Sequence, residues 1–98
     1  MKDARIDSRD IILAIVAFNK EQKVEGRTFL QKLAYFLNEK LKFGIEFEPH
    51  YYGPYSESIA MATKTLVALN FLDEVEVRFP DATSEIFEPR KYTYRLIS

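Results

Sequence analysis

The chain has no cysteine, a single histidine and only three glycines among its 98 residues. Without cysteine, disulfides, thiolate metal sites and cysteine nucleophiles are excluded. Any histidine-based metal site or Ser-His-Asp arrangement would depend on His50. Three glycines are too few and too scattered to form a Gly-rich phosphate-binding loop. We therefore expect no enzymatic activity and no cofactor.

Long hydrophobic runs are missing as well. The longest covers residues 11–18, eight residues, whereas a membrane-spanning helix needs about 20. Residues 1–10 mix acids with bases, and no small-residue cleavage site follows the apolar run, so a secretory signal is not expected. These features predict a cytoplasmic protein that does not contact a membrane.

Neither sign of charge dominates the chain. Fourteen basic and fifteen acidic residues give a formal charge of -1, and 47% of the residues are hydrophobic. Such a composition is typical of a folded globular protein, and the length predicts one domain over residues 1–98. A balanced charge also removes the simplest argument for a nucleic-acid partner.

Helical spacing of apolar residues predicts three helices, over residues 9–19, 28–42 and 56–69. The first is apolar on nearly every side, and the second is expected to pack Leu33, Phe36 and Leu37 against it. The predicted inner stripe of the third is Ile59, Ala62, Leu66 and Leu69. The expected end signals are a Ser8 cap, a Thr28/Gln31 capping box, a stop at Gly44, a cap by Ser56 or Ser58, and a left-handed Asn70.

Alternating residues predict the strands. Residues 45–48 form a short candidate strand that Pro49 would end, and residues 19–25 are expected to be a polar loop. Residues 75–79 and 91–96 alternate on either side of a polar loop at 80–84, which predicts a hairpin. Three helices followed by a hairpin predict an α+β domain of the winged helix-turn-helix-like class, with the hairpin as the wing.

Two motifs together resemble a known family. Residues 26–33 (Gly-Arg-Thr-Phe-Leu-Gln-Lys-Leu) open the second helix, and residues 52–56 (Tyr-Gly-Pro-Tyr-Ser) open the third. The pair resembles uncharacterised bacterial and archaeal proteins of the YwgA type and, more distantly, the Panacea antitoxin domain. The resemblance runs from residue 9 to the wing. It implies a winged-helix-like fold and little about biochemistry.

The aromatic turn before the third helix is the best candidate for a binding site. His50, Tyr51, Tyr52 and Tyr55 could line a pocket or stack on a base. The alternative is structural: a Gly-Pro turn whose tyrosines pack on the helices. His50 beside Glu48 could exchange protons, although no nucleophile accompanies it. The pairs Glu46/Glu48 and Glu74/Glu76 could hold a divalent cation, or they are simply the solvated faces of two strands.

A DNA-binding function would depend on the outward face of the third helix and on basic residues of the wing. The outward face carries Glu57, Met61, Lys64, Thr65 and Ala68, which offers few base-reading groups. Residues 45–98 hold five bases and nine acids, so phosphate would meet an acidic half of the chain. The candidate nucleic-acid contacts are Lys64, Arg78, Arg90, Lys91 and Arg95; the alternative for the wing is a solvated hairpin balanced by glutamates.

The favoured function is a protein-interaction or regulatory module, with DNA-binding regulation as the alternative. The first helix has more apolar sides than so small a domain can cover, and Met61 and Ala68 add apolar area to the third helix. The partner is therefore expected to be a second copy of the chain, forming a homodimer, or another protein. In the alternative, Val75, Val77, Tyr92 and Tyr94 of the wing fold back and cover the first helix.

Overall fold

The structure is a computed structural model that describes residues 7–78 and 90–97. It is an α+β arrangement of three helices and two small antiparallel sheets, which is compatible with a winged-helix-like order of elements. Within the described residues, no helix is both long enough and apolar enough to cross a membrane. The helices are α1 (Ser8–Phe18), α2 (Arg27–Leu41) and α3 (Glu57–Ala68), and the strands are β1 (Lys23–Glu25), β2 (Glu48–His50), β3 (Gly53–Tyr55), β4 (Leu72–Arg78) and β5 (Arg90–Leu96).

Helix α1 is the centre of the core. Its N-cap is Asp7, which accepts from the Arg9 amide, so the prediction of a Ser8 cap was wrong. A hydrogen bond from the Arg9 side chain holds the pKa of Asp7 below its ordinary value. The Ser8 hydroxyl instead pairs with that of Ser58 on α3, 2.7 Å away. Leu13 and Ala17 are half-buried, and Phe18 is 90% exposed at the end of the helix.

Strand β1 was not predicted, because residues 19–25 have the composition of a loop. A 3-10 turn (Lys20–Gln22) leads into it, and the Asn19 side-chain amide donates to the Lys23 carbonyl at 2.6 Å. Val24 points into the core opposite Tyr94 of β5. The sheet order is β1-β5-β4, so the last strand of the described chain lies in the middle.

Helix α2 packs on the core with a face that is shifted from the predicted one, but that still includes Leu33 and Leu37. Its N-cap is Gly26, which offers no side chain, so the Thr28/Gln31 capping box is absent and Gln31 is buried. The helix ends at Leu41 with Lys42, rather than Gly44, as its left-handed cap. Leu33 and Leu37 are half-buried beside the core, but Phe36 is 63% exposed. The buried positions are Leu30, Gln31, Ala34 and Asn38.

The connection from α2 to α3 is a hairpin of two short strands. Residues 45–47 are not in a strand, and Pro49 lies inside β2 rather than ending it. Tyr51 and Tyr52 form the turn between β2 and β3, and Pro49 pairs with Pro54 in the register. A short strand was therefore correctly predicted in this region, but it was expected to begin at residue 45, whereas β2 begins at Glu48.

Helix α3 begins and ends as the sequence indicates. The Ser56 hydroxyl accepts from the Ile59 amide at 3.3 Å, which confirms its role as N-cap. Asn70 has φ 65°, the predicted left-handed conformation. Leu69 is exposed instead of buried, because the helix has already ended at Ala68. The apolar core consists of Ile11, Ile12, Ile15, Val16, Val24, Leu30, Ala34, Ile59, Ala62, Leu66, Leu72 and Tyr94.

Strands β4 and β5 form the predicted hairpin. The register pairs Val75 with Thr93 and Glu74 with Tyr94. Directly opposed residues share a face of the sheet, so Val75 is on the outer side and Tyr94 on the inner side. The alternative in which the wing covers the first helix is therefore wrong for Val75, which is exposed, but Tyr94 is buried in the core. The predicted strand residue Phe79 and the loop at 80–84 lie outside the described residues.

Candidate functional site

A groove of about 740 Å³ lies between α2, α3, the β2–β3 hairpin and the β4–β5 strands. The first turns of α2 form one wall, and α3 contributes Glu57, Ala60, Met61 and Lys64. The β2–β3 hairpin borders it with His50, Tyr52 and Tyr55. Concave surfaces that combine aromatic side chains with a few polar groups are the usual form of binding sites.

Two buried amide side chains of α2 hold the α2–α3 connection in place. Gln31 accepts from the Ser56 amide at 2.9 Å and donates to the Ser56 carbonyl at 3.1 Å. Asn38 forms the same pair of bonds with Ile45, at 3.0 and 2.9 Å. Gln31 therefore fixes the start of α3 against α2, which sets the spacing between two walls of the groove.

The β2–β3 hairpin presents a stacked ring pair. The His50 and Tyr55 rings lie 4.8 Å apart at 29°, and the Tyr55 hydroxyl donates to Glu57 at 3.0 Å. Burial, followed by the hydrogen bond to Glu57, raises the pKa of Tyr55. Gly53 has φ 135°, a conformation that side chains disfavour, and a Cβ there would lie 3.3 Å from Lys32 Cε. The close approach of the hairpin to α2 therefore depends on glycine.

The sheet side of the groove contains an arginine on an aromatic ring. The Arg27 guanidinium lies 4.2 Å from the centroid of Tyr92, a cation–π contact. Beside it, the Tyr94 hydroxyl donates to Glu74 at 2.8 Å. Burial of the phenol is the main cause that raises the pKa of Tyr94, and the bond to Glu74 adds to it. Glu74 is exposed, as the solvated-face alternative expects, and it is also held by this hydrogen bond.

The structure brings six of the predicted site residues to this groove. They are His50, Tyr52, Tyr55, Met61, Lys64 and Lys91. Tyr51 is exposed in the turn, and Ala68 lies at the far end of α3, outside the groove lining. Arg95 is opposite Asp73 and Lys23 in the sheet. The backbones of Arg78 and Arg90 lie directly opposite each other where β4 pairs with β5.

The acidic pairs do not form a metal site in the described part of the chain, where no cluster of three or more suitable ligands occurs. His50 is engaged with Tyr55 as a stacked ring. The sequence reasoning missed Arg27, Lys32, Tyr92 and Tyr94 as groove residues. Arg27 and Lys32 lie in the motif at residues 26–33, which supported the family resemblance, and Tyr92 and Tyr94 lie in the alternating segment at residues 91–96, which predicted a strand.

Comparison with known proteins gives one weak similarity. The uncharacterized protein YwgA of Bacillus subtilis (strain 168) is 36% identical over 61 residues, which are 60% of this chain. The match spans 36% of the length of YwgA, so it covers about a third of that protein. The similarity agrees with the YwgA-type resemblance of the two motifs. No known family profile matches the chain, and no solved structure is similar to it.

Proposed function

We propose that this domain is a non-enzymatic protein-interaction module of the winged-helix type that binds a segment of a partner polypeptide in the groove. The observation that carries the proposal is the exposure of large apolar side chains at a concave surface. Met61 is 53% exposed, and Tyr52 is exposed to a similar degree on the opposite wall. Exposed apolar patches rimmed by polar groups usually mark partner sites.

The winged-helix part of the proposal is supported by the order of elements. Strand β1 follows α1, and the β4–β5 hairpin follows α3 and completes the sheet in the order β1-β5-β4. The β2–β3 hairpin is an addition between α2 and α3. A DNA-binding helix-turn-helix joins its helices by three or four residues, whereas here α2 ends at Leu41 and α3 begins at Glu57.

The placement of α3 favours a polypeptide over duplex DNA. A recognition helix has to enter the major groove of DNA, but α3 here forms one wall of a groove that the β2–β3 hairpin borders. The observation in favour of DNA is that Lys64 and Lys91 line the same groove. A salt titration against random duplex DNA tests this second candidate, since phosphate contacts make binding fall steeply with salt.

Self-association is the second part of the proposal. Val75 lies on the outer side of β4 and is exposed, as are Phe71, directly before β4, and Ile97, directly after β5. This outer surface is a better candidate for a homodimer contact than Leu13 and Ala17, which are half-buried. Sedimentation at micromolar concentration decides the point: a mass of 11.5 kDa that is unchanged by dilution would contradict the dimer.

A random dodecapeptide display library tests the groove. Peptides enriched on the immobilised domain should bind the wild type and lose at least tenfold in affinity with the double variant Tyr52→Ala/Met61→Ala. The matched control is Phe18→Ala/Phe36→Ala, which removes two exposed rings outside the groove lining. Failure to enrich any peptide, or equal binding to the groove variant, would overturn the proposal.

A further inference from the structure

We infer that the groove selects an acidic polypeptide segment, whose carboxylates pair with Lys32, Lys64 and Lys91 around an apolar anchor that contacts Met61. The inference rests on the proposed function, because it assumes that a polypeptide occupies the groove. It adds the charge of that polypeptide, which follows from which charged side chains of the groove already have partners within the domain.

The acidic side chains of the groove are engaged by the protein itself. Glu25 pairs with the Lys23 ammonium at 3.5 Å. Glu57 accepts from the Tyr55 hydroxyl at 3.0 Å, and Glu74 accepts from the Tyr94 hydroxyl at 2.8 Å. Each carboxylate is therefore already held by a partner within the domain before a ligand arrives.

The lysines of the groove are in the opposite situation. Lys32 projects from α2, Lys64 from α3 and Lys91 from β5, so the three surround the groove on different elements. Within residues 7–78 and 90–97, none of the three forms an ion pair or a side-chain hydrogen bond. A bound carboxylate would therefore gain a cation without displacing an existing partner, and such complementarity favours acidic ligands and speeds their association.

The same groove suits nucleic acid less well. Its lining contains four bases and three acids, which is a small excess for a polyanion that depends on the release of many counterions. Single strands also bind by stacking bases on aromatic faces. One face of Tyr92 is covered by Arg27, and the His50 and Tyr55 rings stack on each other. An acidic peptide needs only the lysines and the apolar wall.

The composition of peptides selected from a random dodecapeptide library tests the inference. Selected peptides should contain an excess of Asp and Glu around one or two apolar residues. Replacing their acids by the corresponding amides should weaken binding at least tenfold at low salt. The triple variant Lys32→Gln/Lys64→Gln/Lys91→Gln should remove this difference, while Lys20→Gln/Lys40→Gln/Lys42→Gln, outside the groove lining, should retain it.

The outcomes separate this inference from the proposed function. Enriched peptides that are neutral or basic and still require Met61 would overturn the acidic preference and leave a polypeptide groove. Failure to enrich any peptide would overturn both. A single-stranded oligonucleotide that binds more tightly than every selected peptide, and depends on the same three lysines, would overturn the inference in favour of nucleic acid.

Discussion

Replacing Gln31 by alanine should destabilise the domain by unpairing the start of α3. The side chain is 8% exposed and satisfies both backbone groups of Ser56 at the start of α3. The Ser56 carbonyl also accepts from the Ala60 amide at 3.0 Å, so only the Ser56 amide loses its partner in the variant. A buried polar group that loses its partner costs about 1–3 kcal/mol, which is the expected loss. Water that enters the vacated space would move the loss toward the lower value. Since small domains are stable by only about 5–15 kcal/mol, the loss is a large share of the total.

Urea unfolding followed by far-ultraviolet circular dichroism measures this loss. The control is Glu39→Ala, an exposed change on the same helix, which should alter stability by about 0.5 kcal/mol or less. Hydrogen exchange of the Ser56 amide gives a local readout, because its proton is donated to Gln31 and should exchange faster in the variant. A loss below about 1 kcal/mol with an unchanged denaturant slope would refute the reasoning.

Other outcomes follow from burial, ionisation and backbone conformation. Leu30→Ala should cost about 2–5 kcal/mol, whereas Phe36→Ala, which removes an exposed ring, should cost less than about 1 kcal/mol in urea unfolding. The raised pKa of Tyr94 means that the folded protein keeps the phenolic proton above the ordinary value of 10.0. The neutral phenol therefore contributes its full stabilisation below that pH, and this contribution is lost as the pH rises above it. In Tyr94→Phe the urea midpoint should accordingly fall less steeply with rising pH in the alkaline range. Gly53→Ala should cost about 1–3 kcal/mol in thermal unfolding, because alanine is strained at φ 135°.

Each of these outcomes has a clear opposite. Equal losses for Leu30→Ala and Phe36→Ala would mean that α2 is rotated relative to the structure. If the urea midpoint of Tyr94→Phe fell with rising pH as steeply as that of the wild type, the phenol of Tyr94 would be exposed to water. Full stability of Gly53→Ala would show that the hairpin can adopt a negative φ at this residue without losing its contact with α2.

The bounds of the helices could be predicted to within one residue, although the residues that cap α2 were predicted wrongly. Ser56 caps α3 through its own hydroxyl, and Asn70 takes the left-handed conformation that follows the helix. Asp7 replaced Ser8 as the first cap, a shift of one residue between two good capping side chains. The helix boundaries depend on neighbours in sequence, which the sequence displays directly.

The buried face of α2 could not be predicted in the same way. Gln31 and Asn38 are polar, so an amphipathic pattern assigns them to solvent. Their partners are the backbones of Ser56 and Ile45, which lie in irregular connections whose path the helix pattern does not contain. Their alignment with Leu30 and Ala34 was the available signal, because all four fall on one side of the helix.

The wing shows a second kind of limit. Alternation within β4 and within β5 separates the two faces of each strand, but it does not determine how the strands are paired. The observed register places Glu74 beside Tyr94 and Val75 beside Thr93. For the same reason the sequence predicted the aromatic turn as a candidate site but not its neighbours Arg27 and Tyr92, which reach the groove from elements far apart in the chain.

The central position of β5 has a consequence for the order of folding. Strand β1, near the start of the described chain, pairs only with β5, at its end, as the pairing of Val24 with Tyr94 shows. The sheet therefore cannot form until β5 is present. During synthesis, α1, α2 and α3 emerge before the strand that buries Val24 and Leu72 exists. Closing so long a loop is entropically costly and slows folding. The helices should therefore remain loosely associated until β5 arrives, and the cooperative step of folding should coincide with its docking.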